Sequence, residues 1–191
     1  KDVAGEVEAV GANVKEFKVG DAVFGDLSEC GWGAFAEYVS APENAIVHKP
    51  ANRSFEEAAA VPESAVVALQ GLRDLGQIQS GQRVLINGAS GGIGTFAVQI
   101  AKGFGAHVTG VCSTRNLDLV RSIGADHVID YTQEGFTRWQ PYDLIFDIAG
   151  NRSVSDYLRA LRPRGTYVAC AISPVALLLG PVISMLGSKR V

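Results

Sequence analysis

The sequence predicts an α/β fold: a doubly wound parallel sheet preceded by a β-rich segment. Three features carry that reading. From Arg83 onward, short apolar runs alternate with segments of helical period. A glycine-rich turn joins the first of those runs to the first long helix. Ahead of Pro50 the chain instead shows short runs punctuated by glycine, as in a small barrel or sheet.

In chain order, Val3 to Val10 carries apolar residues with Gly5 and Gly11 as punctuation, and Gly20-Asp21 turns the chain into Ala22 to Gly25. Phe35 to Val39 alternates in part and is expected to form a half-buried strand. Beyond Pro50, Ser54-Phe-Glu-Glu57 is a capping box, with Ser as N-cap and Glu three residues later. It opens a short Ala-rich helix that Pro62 interrupts, and a second helix follows through Leu75. Arg83 to Asn87 reads as a buried strand, and Gly92 to Phe104 as a helix with Ala97, Ile100, Ala101 and Phe104 on one face. Strands at 107–112, 127–130, 143–148 and 165–171 alternate with helices at 117–123 and 154–161. The boundaries expected are residues 1–60 for the β-rich part and 61–191 for the α/β domain.

The 191 residues are 47% hydrophobic and 19% charged, with net charge −3, which is ordinary globular composition. No stripe of Lys or Arg marks a nucleic-acid binder. Cys30, Cys112 and Cys170 are scattered and odd in number, so disulfides and structural zinc are not expected and a reducing, cytoplasmic setting fits. The first residue is Lys1 rather than Met, so the start reads as cut or processed, with no signal peptide. The most apolar stretch, 172–186, contains Pro174, Gly180 and Pro181 and is too short for a membrane span.

The chemistry is expected at Ala89-Ser90-Gly91-Gly92-Ile93-Gly94. This turn follows a strand, opens a helix and sits in a β-α-β unit, the three contexts that make a G-x-G-x-x-G pattern a Rossmann dinucleotide fingerprint. Gly91 admits a pyrophosphate close to the backbone, Gly94 lets helix and strand approach, and free N–H groups at the helix start face the phosphates. Ala89 occupies the first glycine position, a mild departure. An NAD site would place a carboxylate about 20 residues on. That position is Cys112, followed by Ser113, Thr114 and Arg115, which can bond or pair with a 2′-phosphate. NADPH is therefore the expected cofactor. Gly88 to Gly94 also fits the turn of short-chain dehydrogenases. Those enzymes carry the turn near the N-terminus and a Tyr-x-x-x-Lys pair, whereas none of the five tyrosines here has a Lys four residues on.

Asp2 to Gly11, Val19 to Gly25, Gly33 to Val39, Lys49-Pro50, Ala58 to Pro62, Gly81 to Ile86, Gly88 to Lys102, Gly124 to Tyr131 and Asp143 to Asp147 together resemble the medium-chain dehydrogenase/reductase superfamily, in its zinc-independent quinone oxidoreductase branch. The resemblance implies a GroES-like catalytic domain interrupted by a Rossmann domain, with this chain matching the central part of such a protein. It implies no metal: Lys1 stands where zinc members place a ligating His, Asp2 where they place a Glu, and only Cys30 lies in the region of their four-Cys site. His48, His107 and His127 have no ligand spacing. It adds Tyr131, near the adenosine phosphate, and Ala149 and Gly150, at a strand end lining the ligand crevice, as cofactor contacts. Where the family commonly has a Thr toward the nicotinamide, this sequence has Val67.

Together the glycine turn and the resemblance imply an NADPH-dependent oxidoreductase passing hydride to a quinone or enone-type acceptor, with no catalytic side chain nameable. Two alternatives stand beside it: a cofactor-binding sensor or interaction protein without turnover, and an enoyl-reductase module of a larger synthase. A homodimer is possible, through edge strands or through segment 172–187.

Overall fold

The fold is given by a computed structural model, which describes residues 1–136 and 141–170. The apolar segment 172–187 and the end of the strand expected to reach 171 lie outside the described residues. The chain divides into two compact units, Lys1–Val66 and a second beginning at Val67.

The first unit holds a three-stranded antiparallel sheet of β1 (Asp2–Glu6), β2 (Ala22–Asp26) and β3 (Ile46–His48), in that order. Its buried apolar side chains are Phe17, Val23, Leu27 and Ala58, and the Phe17 ring lies 4.9 Å from that of His48. The strand expected at Phe35 to Val39 does not form, and Phe35 and Tyr38 stand exposed. Its alternation places Glu37 between Phe35 and Val39 on one face and leaves only Ala36 and Tyr38 on the other, so burial of either face gains little. The third strand is instead Ile46–His48, a run too short to show a period. Helix α1 (Phe55–Ala59) opens on the expected box: the Ser54 hydroxyl accepts from Glu57 N–H at 3.1 Å, and the Glu57 carboxylate accepts from Ser54 N–H at 3.0 Å.

Helix α2 (Pro62–Leu69) runs on as a π-helical turn, Gln70–Leu75, ending where the sequence predicts. The second unit then alternates β4 (Arg83–Asn87), α3 (Gly92–Gly103), β5 (His107–Cys112), α4 (Leu117–Ser122), β6 (His127–Asp130), β7 (Tyr142–Asp147), α5 (Val154–Ala160) and β8 (Leu161–Ala169). The strands form one parallel sheet in the order β6-β5-β4-β7-β8. The chain winds outward from β4 through β5 and β6, then returns to its other side through β7 and β8. The winding reverses between β4 and β7, where a doubly wound sheet opens its ligand crevice.

Side chains alternate across this sheet and feed two cores. Val84 and Ile86 join Ala97, Val98 and Ala101 of α3 on one face; Leu85 joins Ile145, Tyr157 and Tyr167 on the other. Strand β8 starts at Leu161, four residues before the glycine that the sequence suggests as its start. Leu161 pairs with Tyr142, the register shifts, and regular pairing resumes at Thr166 opposite Leu144. Pro163 lies in that irregular stretch; among the described residues β8 is the last strand of the sheet, where a missing N–H costs no ladder bond.

Candidate functional site

Three loops meet at the carboxyl ends of β4, β5 and β7. The first is the glycine turn. Gly88 takes φ +91°, and its N–H and that of Ala89 both donate to Val111 O, at 3.1 and 3.0 Å. Gly91 N–H closes back on Gly88 O at 3.1 Å. Helix α3 begins with Gly91 as N-cap and no side-chain cap, and the first backbone bond across its entrance is Thr95 N–H to Gly91 O at 2.9 Å. The amides of Gly92, Ile93 and Gly94 precede that bond, at the positive end of the helix. Gly91 and Gly92 are exposed. A Cβ on Gly94 would stand 2.1 Å from Gly88 O, so only glycine lets the helix sit on this turn. Ala89 is fully buried and its N–H is engaged, so it shapes the loop from beneath.

The second loop follows β5. Ser113 leads into a 3-10 turn, Thr114–Asn116. Tyr131 N–H donates to Cys112 O at 3.1 Å, which brings the exposed Tyr131 beside Ser113. Asn116 ties this loop to the first: its Nδ2 donates to Ser90 Oγ at 3.0 Å and to Ser113 Oγ at 3.3 Å. The exposed Arg115 makes no ion pair among the described residues. Thr114 Oγ1 donates to the Asp130 carboxylate at 2.5 Å. Asp130 also accepts from Thr132 N–H and Oγ1, at 2.9 and 2.7 Å. The Thr114 and Thr132 bonds hold its carboxyl below the ordinary range. The Thr114 proton is thereby committed inward, leaving Ser113, Arg115 and Tyr131 as outward donors.

The third loop is the end of β7. Ile148 N–H donates to Asn87 O at 3.0 Å, and a Cβ on Gly88 would stand 3.4 Å from Ala149 Cβ, so Ala149 lies against the glycine turn. Gly150, at φ +59°, donates its N–H to Asp147 Oδ1 at 3.0 Å. Asn87, Asn116 and Asp130 were not singled out by sequence. A polar residue closing an otherwise apolar strand is the signal that points to Asn87 and Asp130; nothing local points to Asn116.

In the first unit, Lys1 Nζ donates to Glu63 Oε1 at 2.6 Å and lies 4.9 Å from the Trp32 ring centre. The bond to Glu63 raises the Lys1 pKa. His48 closes β3, while His107 and His127 begin β5 and β6. Among the described residues, no group of three or more His, Cys, Asp or Glu could hold a metal ion. No helix among them is long and apolar enough to cross a membrane.

Comparison with known proteins agrees with this architecture. The family described as "Alcohol dehydrogenase GroES-like domain" matches residues 1–51, and "Zinc-binding dehydrogenase" matches residues 92–188. The chain belongs to the medium-chain dehydrogenase/reductase superfamily and is quinone oxidoreductase-like. A chloroplastic quinone-oxidoreductase homolog of Spinacia oleracea is 41% identical over 187 residues, covering 93% of this chain and 57% of that protein. A mitochondrial NAD(P)H oxidoreductase of Homo sapiens is 40% identical over 158 residues, 78% of this chain and 40% of that one. The quinone oxidoreductase structure from Coxiella burnetii superposes with TM-score 0.89 at 29% identity, over 99% of this chain and 60% of that one. The chain thus spans at most three-fifths of each of these relatives.

This medium-chain dehydrogenase/reductase chain fits a nicotinamide dinucleotide. The uncapped amides of Gly92, Ile93 and Gly94 offer anion donors, and the bare, exposed Gly91 and Gly92 put no Cβ in the way.

Proposed function

We propose that this protein binds NADPH and passes hydride to a conjugated acceptor, a quinone or the β-carbon of an enone, without zinc. The observation that carries the reading is the entrance of α3: exposed glycines, no side-chain cap, and a helix dipole directed at the crevice. Helices α1 and α5 have capping boxes, while α3 and α4 open without a side-chain cap; at α3 the uncapped amides stand beside exposed glycines, an opening that a bound pyrophosphate would complete.

The preference for NADPH over NADH rests on Ser113, Arg115 and Tyr131. Arg115 is a planar, permanent cation suited to a 2′-phosphate, and no carboxylate projects from the end of β5 to repel one. Asp130 stands nearby, but its oxygens are turned onto Thr114 and Thr132.

When bound, NADPH supplies hydride from C4 of its ring. The chain's own residues bind and orient. Gly92 to Gly94 present amides to the pyrophosphate, and Ala149 and Gly150 border the crevice beyond it. Zinc-independence rests on Lys1, whose ammonium cannot ligate a metal and is paired with Glu63. Without a Lewis acid at the carbonyl, acceptors that spread charge over a π-system are favoured over simple ketones. A reducing, cytoplasmic setting and a dimer formed through a sheet edge belong to the same proposal. The first is supported by three free cysteines, and the second by the position of β6 and β8 at the sheet edges.

Calorimetric titration with NADPH and NADH, beside NADPH oxidation by a simple quinone, tests the reading. The expected result is saturable NADPH binding, with Arg115→Ala weakening NADPH about tenfold, the scale of one lost charge-assisted contact, and leaving NADH unchanged. Absence of binding by either nucleotide overturns the proposal. Equal loss for both in the variant removes the NADPH preference alone.

A further inference from the structure

Asn87 and Asp147 are register partners at the carboxyl ends of the adjacent strands β4 and β7, and each is only 2% exposed. Asn87 Nδ2 donates to Asp147 Oδ1 at 2.8 Å and also lies within bonding distance of Tyr157 OH and Asn151 Oδ1, at 2.9 and 3.0 Å. Tyr167 OH donates to Asp147 Oδ2 at 2.9 Å. The two phenol rings stack at 4.9 Å, with Phe136 stacked 5.2 Å from Tyr157. Burial first, and then the Asp147 charge, raise both phenol pKa values, so both rings stay protonated.

Fold stability alone does not account for this arrangement. A carboxylate removed from water costs more than a well-packed apolar pair would at the same strand ends. What the Asn87–Asp147 hydrogen bond does that an apolar pair cannot is point. Asp147 Oδ1 accepts the Gly150 N–H at 3.0 Å and is itself fixed by Asn87 Nδ2, beside a main-chain bond from Ile148 N–H to the residue 87 carbonyl at 3.0 Å. The 148–150 loop is thereby tied to the residue that immediately precedes the glycine turn. The pair stands at the point where the winding reverses, between the half of the sheet that takes the adenosine side of a dinucleotide (β4, β5, β6) and the half that takes the other side (β7, β8).

We propose that Asn87 and Asp147 are positioning residues that fix the 148–150 loop and so set affinity for the nicotinamide half of the dinucleotide, while leaving the adenosine half to the glycine turn and the Ser113–Tyr131 side. This rests on the dinucleotide reading above and assigns two residues within it. Asp147 acts through Gly150, and Asn87 acts by holding Asp147 Oδ1 in place.

The test compares NADPH with 2′,5′-ADP, which carries only the adenosine half, on the unaltered chain and on Asp147→Ala, Asp147→Asn and Tyr167→Phe, with the melting temperature followed alongside. Asp147→Ala is expected to weaken NADPH about tenfold, the loss of one buried charged contact, while 2′,5′-ADP stays within about twofold. Asp147→Asn, which keeps an acceptor for Gly150, restores most of the NADPH affinity. If Asp147→Ala does not fold, Tyr167→Phe, which frees one carboxylate oxygen without a cavity, carries the same comparison. Parallel loss of both ligands with the melting temperature, or unchanged NADPH affinity in folded variants, overturns the inference. If the unaltered chain binds neither ligand, the dinucleotide reading fails, and this assignment fails with it.

Discussion

At Gly94 a single hydrogen separates a workable site from a clash. The Cβ of alanine would meet Gly88 O at 2.1 Å and Ala89 main-chain atoms at 2.8 Å, and backbone cannot step aside as a side chain can. Gly94→Ala is expected to cost about 1–3 kcal/mol, the range for overpacking a tight contact, and to weaken NADPH at least in proportion. A urea titration with and without nucleotide measures both. A variant of unchanged stability would show that α3 can slide off the turn. Asn116 and Asp130 illustrate the opposite kind of residue, whose importance is wholly relational. Asn116 joins two loops through Ser90 and Ser113, and Asp130 takes the Thr114 proton away from the ligand side. Neither role follows from residue type and spacing, because Ser90 and Thr114 come from loops distant in sequence from Asn116 and Asp130.

At the scale of elements, a capped helix entrance is closed within itself. Helix α5 begins with Ser153 as N-cap, its hydroxyl accepting from Asp156 N–H at 3.2 Å, while the Asp156 carboxylate accepts from Ser153 N–H at 3.3 Å. Ser153→Ala is expected to cost about 1 kcal/mol, the usual value of a lost N-cap, and to leave nucleotide affinity unaltered because the cap bonds only within its own helix start. Thermal melting checks the first half and calorimetry the second; a matching loss of affinity would show that the 148–150 loop feels the cap. Strands show where local pattern runs out. The apolar runs of β4, β5 and β7 are buried on both faces, and their sequences state it. Phe35 to Val39 alternates but has Glu37 in the middle of its larger face, and β3 is three residues long, so pattern marks the wrong segment as the third strand of that sheet. The early start of β8 hides behind Pro163, which reads as a breaker in sequence and is tolerated where the pairing with β7 shifts register.

The whole molecule has two units of unequal core. In the first, Phe17, Val23, Leu27 and Ala58 are the buried apolar side chains, whereas the second buries both faces of a five-stranded sheet. Apolar area removed from water is the main stabilising term, so the first unit is expected to open at lower denaturant concentration than the second. Amide exchange with rising urea checks this: Val23 and Leu27 should lose protection before Ile86 and Ile145. NADPH at about 100 times its dissociation constant should add about 2.7 kcal/mol to the second transition. A single coincident transition would show that the units unfold as one.

The strand-helix rhythm after Arg83, the capping box at Ser54 and the glycine turn at 89–94 were all determined by the sequence alone, because each is a local rule: periodicity, a side chain reaching its own backbone, a conformation or close approach open only to glycine. The tertiary structure decided which loops share the crevice, that Asp130 commits Thr114 inward, and that Asn87 and Asp147 meet at the reversal of the sheet. Those contacts join residues 16 and 60 positions apart, and such pairs become neighbours only when parallel strands align in register.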